Sequence, residues 1–409
     1  MQHILSIAAH TLGCKVNQCD TDALLERLKN MGLAVRNFNQ VSDIYIVNTC
    51  TVTHVSDKKS RQMISRARRL NPSAFVAVCG CMAKNSPEVS GVDFVFDARK
   101  PDDFFEKVRE LLEQPIFAAP TDLCEHKSRT RAFIKIQDGC DRFCSYCIVP
   151  YVRGPMHSRP MADILADARE SIKSGTMEIV LTGIQVASYG DDTDGNFTEL
   201  IKNVAKLEGL KRLRLSSIDP TAIDDAFLGA VAASPAICDH FHLSLQSGCD
   251  ATLARMNRRY TTSQYARAAK ELRALKPDCA LTTDIIVGFP GETDEDFHES
   301  LDFAKKMNFA QVHVFEFSPR AGTPAVSYSD QIPQKIKARR GILMRQLADN
   351  LRKNFLESQI GKTLPVLFET NSKGHTTNYC PVELAHGAAA NSIREVKITG
   401  CTGTILAGK

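Results

Sequence analysis

The chain has 409 residues, of which 43% are hydrophobic and 24% are charged. This length allows two or three domains, and the composition is that of a globular protein, which excludes disordered, collagen-like and coiled-coil chains. We find no apolar run of membrane-spanning length and no secretory signal in residues 1–10, so a cytoplasmic protein without a membrane partner is expected. The net charge of +4 does not by itself indicate a nucleic-acid binder.

Short apolar runs alternate with amphipathic runs in the first part of the chain. The predicted strands and helices are, in order, Ile4–Ala8, Thr21–Asn30, Ile44–Val47, Asp57–Leu70, Ala74–Val78, Phe94–Phe96 and Pro101–Leu112. This alternation predicts an α/β fold, with a flavodoxin-like parallel domain over residues 1–114. A polar linker is expected over residues 115–131.

Six further strand-like runs, with helical patterns between them, predict a partial (β/α)6 barrel over residues 132–345. They begin near Phe133, Glu178, Arg212, Phe241, Leu281 and Gln311. Thr293 and Asp296 match a capping box, which places Gly288–Glu292 in a loop at a strand end.

A basic helix, Lys335–Ser358, is predicted next, and short strands then predict a small β-barrel of the RNA-binding kind. The third domain is placed at residues 346–409 with the preceding helix. The window 331–361 holds seven Lys or Arg residues against two Asp or Glu. Tyr379 is suited either to stacking a base or to filling the core of the small barrel.

Cysteine spacing carries the strongest chemical signal. The chain has 14 cysteines, and in a reducing cytoplasm they indicate metal ligation or redox chemistry rather than disulfides. Cys140, Cys144 and Cys147 follow the first barrel strand. Three thiolates can hold three irons of a 4Fe-4S cluster and leave the fourth iron open to S-adenosylmethionine. The alternatives are a zinc site or three cysteines on one helical face.

Cys14, Cys50 and Cys81 form a second candidate set. Each follows the carboxyl end of a predicted strand, where the loops of a parallel sheet converge, so they predict a second 4Fe-4S cluster. The alternative is buried structural cysteines. Cys79 competes with Cys81, but Cys81 follows Gly80 at the strand exit, whereas Cys79 lies within the apolar run.

Over essentially its full length the chain resembles the methylthiotransferases of the radical S-adenosylmethionine superfamily. The matching segments are Thr11–Asn17, Asn48–Val52, Gly80–Cys81, Gly139–Gly154, Leu181–Gly183, Leu215–Ser217, Leu245–Gly248, Met256–Arg258, Gly288–Glu292 and Phe317–Arg320. The resemblance implies an amino-terminal methylthiotransferase domain, a radical barrel and a carboxyl-terminal RNA-binding domain of the TRAM type.

The opening segment Thr11–Asn17 is similar to the branch that converts N6-threonylcarbamoyladenosine at position 37 of tRNA to its 2-methylthio form. The isopentenyladenosine branch, and the branch that modifies a ribosomal-protein aspartate, show other residues where Lys15 and Val16 stand. Ser244 and Cys249 depart from many relatives, but neither is an expected ligand. Both branches stay as alternatives, as does a non-catalytic iron–sulfur RNA-binding protein.

The resemblance implies two 4Fe-4S clusters and S-adenosylmethionine, which would serve as methyl donor and as radical source. No side chain is expected to be catalytic, because the clusters and the radical carry the chemistry at the unactivated adenine C2. The implied partners are the tRNA anticodon stem-loop, an electron donor and a sulfur source. The oligomeric state stays open.

Polar residues at predicted strand ends are candidates for binding S-adenosylmethionine, although each is also typical of an ordinary turn. They are Thr182, Gly183, Ser216, Ser217 and Gln246.

Two sets of charged residues are candidates for substrate contact. Arg258, Asp284 and Arg320 lie in the barrel segment, where ion pairs that support the barrel are the alternative. Lys58, Lys59 and Arg61 open a run of six positive charges without an acidic residue over residues 58–70. Such a run is typical of a phosphate-binding surface or of a solvated helix face.

Overall fold

The computed structural model describes residues 5–85, 89–113 and 130–409. The chain divides into two compact units, one of residues 1–127 with 147–155 and the other of residues 128–146 with 156–409. None of the described helices combines the length and the apolar character of a membrane span. The expected linker, residues 115–131, lies almost wholly outside the described residues.

The first unit is built on a parallel sheet. Its elements are β1 (Ser6–Thr11), α1 (Lys15–Asn30), β2 (Ala34–Arg36), β3 (Ile44–Thr49), α2 (His54–Leu70), β4 (Phe75–Gly80), α3 (Cys81–Asn85), β5 (Phe94–Val95) and α4 (Asp102–Leu112). The strand order is β2-β1-β3-β4-β5, all parallel, which is the flavodoxin-like order. The predicted α/β fold of this region is confirmed.

Helices cover both faces of this sheet. Ile46 packs with Leu24 and Phe104 on one face, and Val47 packs with Ile64 on the other. All six residues of β3 are buried. Because strands covered on both sides need no polar face, they appear in the sequence as continuous apolar runs.

The next part of the chain forms the partial barrel. Its elements are β6 (Arg131–Lys135), β7 (Gln137–Asp138), α5 (Val149–Arg153), β8 (His157–Ser158), α6 (Met161–Lys173), β9 (Glu178–Thr182), α7 (Phe197–Ala205), β10 (Arg212–Leu215), α8 (Asp225–Ala233), β11 (His240–His242), α9 (Asp250–Arg255), α10 (Thr262–Leu275), β12 (Ala280–Val287), α11 (Asp294–Met307) and β13 (Gln311–Glu316). One of these elements, helix α5, belongs to the first unit although it lies within this part of the chain. The other elements belong to the second unit.

Two three-stranded parallel sheets, β10-β9-β6 and β11-β12-β13, make the barrel wall. Single bridges, Leu213 with Ile237 and Ile218 with Leu243, join them. All six predicted strands are present, and the expected capping box of Thr293 and Asp296 opens α11. The predicted partial barrel is confirmed.

Side chains alternate between the two faces of the barrel wall. Phe241 and Leu281 point to the helical layer, where they share a core with Leu200, Phe227 and Leu272. In each strand, the residues that alternate with these apolar ones point the other way, into the barrel lumen. Because that inner face carries many polar side chains, the lumen is suited to binding a polar molecule.

The chain ends in a long helix, α12 (Gln334–Glu357), and a closed antiparallel barrel with one parallel pair. The strands are β14 (Thr363–Phe368), β15 (Lys373–Thr376), β16 (Pro381–Leu384), β17 (Ser392–Thr402) and β18 (Ile405–Gly408), in the order β14-β15-β16-β18-β17. The boundary predicted between residues 345 and 346 falls within α12. Two residues of the predicted basic helix, Lys337 and Arg340, are buried.

The small barrel is fixed to the amino-terminal ends of strands β6, β9 and β10. The Tyr379 ring lies 4.5 Å from the Arg214 guanidinium, and its hydroxyl accepts a hydrogen bond from Arg131 at 3.0 Å. Arg214 also pairs with the buried carboxylate of Glu178 at 2.8 Å. Tyr379 therefore neither fills the core of the small barrel nor is available to stack a base, so both sequence interpretations of it are wrong.

Candidate active site

The first candidate thiols lie in the loop that follows β7. Residues 139–148 form a loop with one turn and no helix, so the three cysteines do not share a helical face. Cys144 is buried and Cys140 is half-buried. Burial raises the pKa of the Cys140 thiol. Cys140 and Cys144 belong to the second unit, and Cys147 is the first residue of the segment that belongs to the first unit.

Arg258 lies against this loop. Its guanidinium is 3.4 Å from the Cys144 sulfur and 3.4 Å from an Asp219 carboxylate oxygen, and it donates to the Tyr260 hydroxyl at 3.0 Å. Burial disfavours the charge, but the neighbouring Tyr146, Tyr260, Cys144 and Asp219 raise the Arg258 pKa well above its usual value. Arg258 is therefore a fixed positive charge beside a thiol.

Gln137 holds the loop in place from the lumen side. Its side-chain nitrogen donates to the Asp138 carbonyl at 2.9 Å, and its side-chain oxygen accepts from the Ile184 and Gln185 amides at 3.0 and 2.9 Å. Gly183 allows this approach, because a Cβ there would lie 2.9 Å from that oxygen. Gly183 thus acts in the structure through a close contact with Gln137.

Ser216 is the expected S-adenosylmethionine residue whose position fits best. Its buried hydroxyl has no hydrogen-bond partner in the part of the chain that the structure describes, and the same is true of the Gln185 side-chain nitrogen. Thr182 is buried at the end of β9, and Ser217 is half-buried. Unsatisfied buried polar atoms at strand ends fit a polar cofactor, because leaving them unpaired costs free energy.

Gln246 adopts a left-handed backbone conformation, with φ of 67°. Its amide donates to the Asp284 carbonyl at 2.9 Å, and its carbonyl accepts from the Ile286 amide at 2.9 Å. The structure thus brings Gln246 beside Asp284. Arg320 is buried in the loop after β13. The roles of these residues toward cofactor and substrate stay predictions.

The loop Gly288–Glu292 is held by α12. The buried Glu292 carboxylate accepts from the Gly288 amide at 2.7 Å and from Arg340 at 2.7 Å. Burial raises the pKa of Glu292 to about 7, although Arg340 and the Gly288 amide act against this shift. Arg340 therefore stabilises the loop and is removed from any RNA-binding surface.

The second set of thiols comes together at one edge of the parallel sheet. Cys14 precedes α1, Cys50 directly follows β3, and Cys81 directly follows β4. The three side chains are close enough that Cys14 and Cys50 both add to the pKa of Cys81, which burial raises to about 11. Cys79, by contrast, is fully buried in the apolar core.

Glycines make room for this set. Gly13 has a φ of 101°, and a Cβ there would lie 3.0 Å from the Cys50 Cβ and 3.2 Å from its sulfur. Asn17 closes the same corner, since its side chain donates to the Leu12 and Thr49 carbonyls at 2.8 and 3.0 Å. These contacts pack the loop of Cys14 against that of Cys50, next to Cys81, and three neighbouring thiols fit a metal cluster.

Arg153 supplies the charge beside these thiols. Its buried guanidinium forms hydrogen bonds with the Cys81 side chain and with Asn17, and it pairs with the buried Asp20 at 3.6 Å. The cysteine spacing does not indicate this arginine, because it lies 72 residues after Cys81 and belongs to α5. Its position on the matched segment that follows Cys147 is the one available hint.

Lys58, Lys59 and Arg61 are exposed on α2. An open groove of about 580 Å³ runs along this helix and is lined by Lys58, Arg61 and Arg69, among others. Arg68 from the same basic run is used internally, since it pairs with Asp93 at 2.5 Å. The exposed cations fit contact with phosphates, which would be strongest at low salt.

The Radical SAM superfamily profile matches residues 134–304, and the profile of the uncharacterized protein family UPF0004 matches residues 6–95. The threonylcarbamoyladenosine tRNA methylthiotransferase MtaB of Bacillus subtilis is 38% identical over 92% of this chain and 90% of its own length. The chain belongs to the family of radical S-adenosylmethionine methylthiotransferases. Family membership implies S-adenosylmethionine and a 4Fe-4S cluster.

Other members are similar over comparable lengths. MtaB of Thermotoga maritima is 35% identical, with 95% of this chain and 93% of the relative covered. The tRNA-2-methylthio-N(6)-dimethylallyladenosine synthase of Acetivibrio thermocellus is 36% identical, with 89% and 80% covered. The cobalamin-binding radical methyltransferase TsrM of Kitasatospora setae has a similar fold, with a TM-score of 0.60 at 14% identity over 80% of this chain and 74% of that one.

Proposed function

We propose that the protein methylthiolates C2 of N6-threonylcarbamoyladenosine at position 37 of tRNA. The Bacillus subtilis relative is named as a threonylcarbamoyladenosine tRNA methylthiotransferase, which supports this nucleoside. The observation that carries the proposal is the meeting of Cys14, Cys50 and Cys81 beside Arg153, in a chain that also has the Cys140–Cys147 loop. A radical enzyme that only cleaves a bond needs one cluster. A second thiol set supports transfer of sulfur.

Cys140, Cys144 and Cys147 would hold the cluster that binds S-adenosylmethionine, and Cys14, Cys50 and Cys81 would hold the second. Together the bound groups supply the electron, the radical, the methyl group and the sulfur. Arg153 acts against burial to lower the pKa of the Cys81 thiol and so favours the thiolate form that binds iron. Arg258 places a guanidinium 3.4 Å from the Cys144 sulfur.

The protein's other task is to bind and orient the base. Ser216, Gln185 and Gln246 lie where polar groups of the barrel meet the cofactor, and the lumen receives the base. Adenosine 37 is part of a loop, and an unpaired base leaves its stack at a lower free-energy cost than a paired one. The exposed cations of α2 would bind phosphates of the anticodon stem-loop. A tRNA substrate implies a cytoplasmic enzyme.

A second candidate substrate is isopentenyladenosine at the same position. The Acetivibrio thermocellus synthase, named for that nucleoside, matches at nearly the same identity. Overall similarity therefore supports both nucleosides. The electron donor and the sulfur source are further partners that the proposal requires.

The test is mass spectrometry of nucleosides from tRNA incubated with reconstituted, reduced enzyme and S-adenosylmethionine, with wild type beside Cys50→Ala. We expect the 2-methylthio product of threonylcarbamoyladenosine with wild type only, while both proteins release 5′-deoxyadenosine. A wild type that cleaves the cofactor but leaves every tRNA nucleoside unchanged contradicts the tRNA assignment. Modification of isopentenyladenosine alone selects the second candidate.

A further inference from the structure

Three polar side chains on neighbouring strands converge on the inner face of the partial barrel. They are His242 at the end of β11, Asp284 on β12 and His313 on β13, and their ligand atoms all lie within 4.8 Å of one another. Their sequence neighbours Phe241, Ile285 and Val312 pack against the helices, so the three side chains point into the lumen. The cluster is distinct from both sets of candidate cluster thiols.

The ring of His242 is fixed by a shared hydroxyl. Thr282 Oγ1 lies 3.0 Å from His242 Nδ1 and 3.1 Å from His240 Nε2. Because a hydroxyl has one proton and two lone pairs, Thr282 can hydrogen-bond to both rings at once and hold them in place. The other nitrogen of His242, Nε2, is 3.4 Å from Asp284 Oδ2, which is long for a hydrogen bond and leaves both atoms able to bind a further group.

The cluster adjoins the expected cofactor site. The main chain of Gln246 is hydrogen-bonded to Asp284 and Ile286 on β12. The ring of His313 lies 6.0 Å from the ring of His242, on the strand paired with Asp284. A molecule held by these side chains would therefore lie beside whatever Gln246 binds.

The lumen floor adds positive charge. Arg131, Arg212 and Arg214 meet there with two carboxylates, Glu178 and Glu369. Three guanidinium groups against two carboxylates leave one positive charge in excess. His240, which contacts Tyr379 on this floor at a ring distance of 5.2 Å, connects the floor to His242 through Thr282.

The chemistry of the substrate explains why polar groups are needed on this inner face. In adenine, C2 and the carbon that bears N6 both flank N1, so a substituent on N6 lies close to the carbon that reacts. A threonylcarbamoyl substituent carries N–H groups, a hydroxyl and a carboxylate, whereas a dimethylallyl substituent is purely apolar. A site for the first must offer both donors and an acceptor.

We infer that His242, Asp284 and His313 bind the threonylcarbamoyl group of the substrate, the imidazoles donating to its carboxylate and Asp284 accepting from its N–H or hydroxyl groups. This inference rests on the proposed function. It means that side chains in the barrel lumen select the threonylcarbamoyl nucleoside over other adenosines. It explains why an acidic side chain lies between two imidazoles, because the substituent itself alternates donors with acceptors.

The test compares binding of three anticodon stem-loop RNAs by full-length reconstituted enzyme without reductant. They carry adenosine, threonylcarbamoyladenosine, or its methyl ester at position 37. We expect wild type to prefer the acid over adenosine, and His313→Ala to lose about tenfold of that preference, the effect of one charge-assisted hydrogen bond. Binding of the adenosine RNA should not change, and wild type should bind the ester less tightly than the acid.

Two further variants sharpen the result. His313→Gln keeps an N–H donor and should recover part of the preference. His298→Ala removes an exposed histidine on α11 and is the matched control, which should behave as wild type. Equal weakening of all three RNAs by His313→Ala would overturn the inference, since it would indicate a structural role.

A metal ion is the competing occupant. One result would show a metal site: wild type binds one zinc ion per protein molecule, and His313→Ala loses that zinc while its iron content is unchanged. This result would also overturn the inference that the three side chains bind the threonylcarbamoyl group directly. If wild type modifies no tRNA and ignores the threonylcarbamoyl group, the proposed function fails and the inference fails with it. If wild type forms the product while His313→Ala keeps the full preference, only the inference fails.

Discussion

The two thiol sites use the same residue types but are assembled in different ways. Cys140 and Cys144 lie four residues apart in one loop, whereas Cys14, Cys50 and Cys81 come from three separate strand ends. Each site has an arginine that is largely shielded from solvent, Arg258 in the first and Arg153 in the second. A local loop carries its ligand spacing in the sequence, but the dispersed set depends on the register of an entire sheet.

The largest effect is expected from removing a thiol of each site. Cys144→Ala should abolish release of 5′-deoxyadenosine, because the cluster loop loses a ligand, while Cys50→Ala should retain it and lose only the methylthio product. Chromatographic measurement of 5′-deoxyadenosine and of iron content checks both. If Cys50→Ala also abolished cleavage of S-adenosylmethionine, the two thiol sites would not have separate functions.

The arginines test whether both sites depend on a buried charge. Arg258→Met leaves Asp219 buried without its guanidinium, and Arg153→Met does the same to Asp20, so each should destabilise its unit by about 3–5 kcal/mol. Denaturant unfolding measures this loss. Arg258→Lys and Arg153→Lys keep the charge and should lose less. A methionine variant as stable as wild type would contradict this interpretation.

The dispersed site should be the more sensitive to its backbone. Gly13→Ala places a Cβ against Cys50 at a φ of 101°, so we expect about 1–3 kcal/mol of strain and weaker retention of iron. Gly154→Ala is the matched control, since Gly154 has a φ of 77° in the same unit but no described atom lies within 4 Å of where its Cβ would be. Equal iron loss in both would show that conformation alone matters.

The smallest effect concerns the Gly288–Glu292 loop of the second unit. The Glu292 pKa is raised from 4.5 to about 7, so between these values the folded protein binds a proton that the unfolded chain has released. Stability from this group is therefore present below about pH 4.5 and is lost as the pH rises to about 7, by about 1–3 kcal/mol. Urea unfolding of wild type and Glu292→Gln across this range should show the difference only in wild type.

The sequence predicted long elements well and short ones poorly. The six barrel strands were all located, because each is an apolar run followed by a helical pattern. Strands β2 and β15, of three and four residues, were missed, because segments this short do not show a recognisable alternation of apolar and polar residues. Helix α1 begins six residues earlier than predicted because Asn17 bonds to Thr49, a contact across 32 residues.

The candidate site divides in the same way. Cysteines could be selected from spacing and strand ends, but Arg153, Thr282 and His313 could not, because their partners are distant in sequence. Arg340 shows the opposite error. Its charge was counted in the basic window 331–361, yet it is buried against Glu292. Local composition cannot distinguish a solvated charge from a paired one.

The ionic floor of the partial barrel also sets an order of assembly during synthesis. Arg131 and its partner Tyr379 are separated by 248 residues. At a translation rate of about 5–20 residues per second, roughly 12 to 50 seconds pass between the synthesis of the first and the second. During that interval the newly made strands β6 and β10 present arginines without their final neighbours. Residues of the small barrel, which are made late, thus complete the base of the partial barrel, whose first strand is made much earlier.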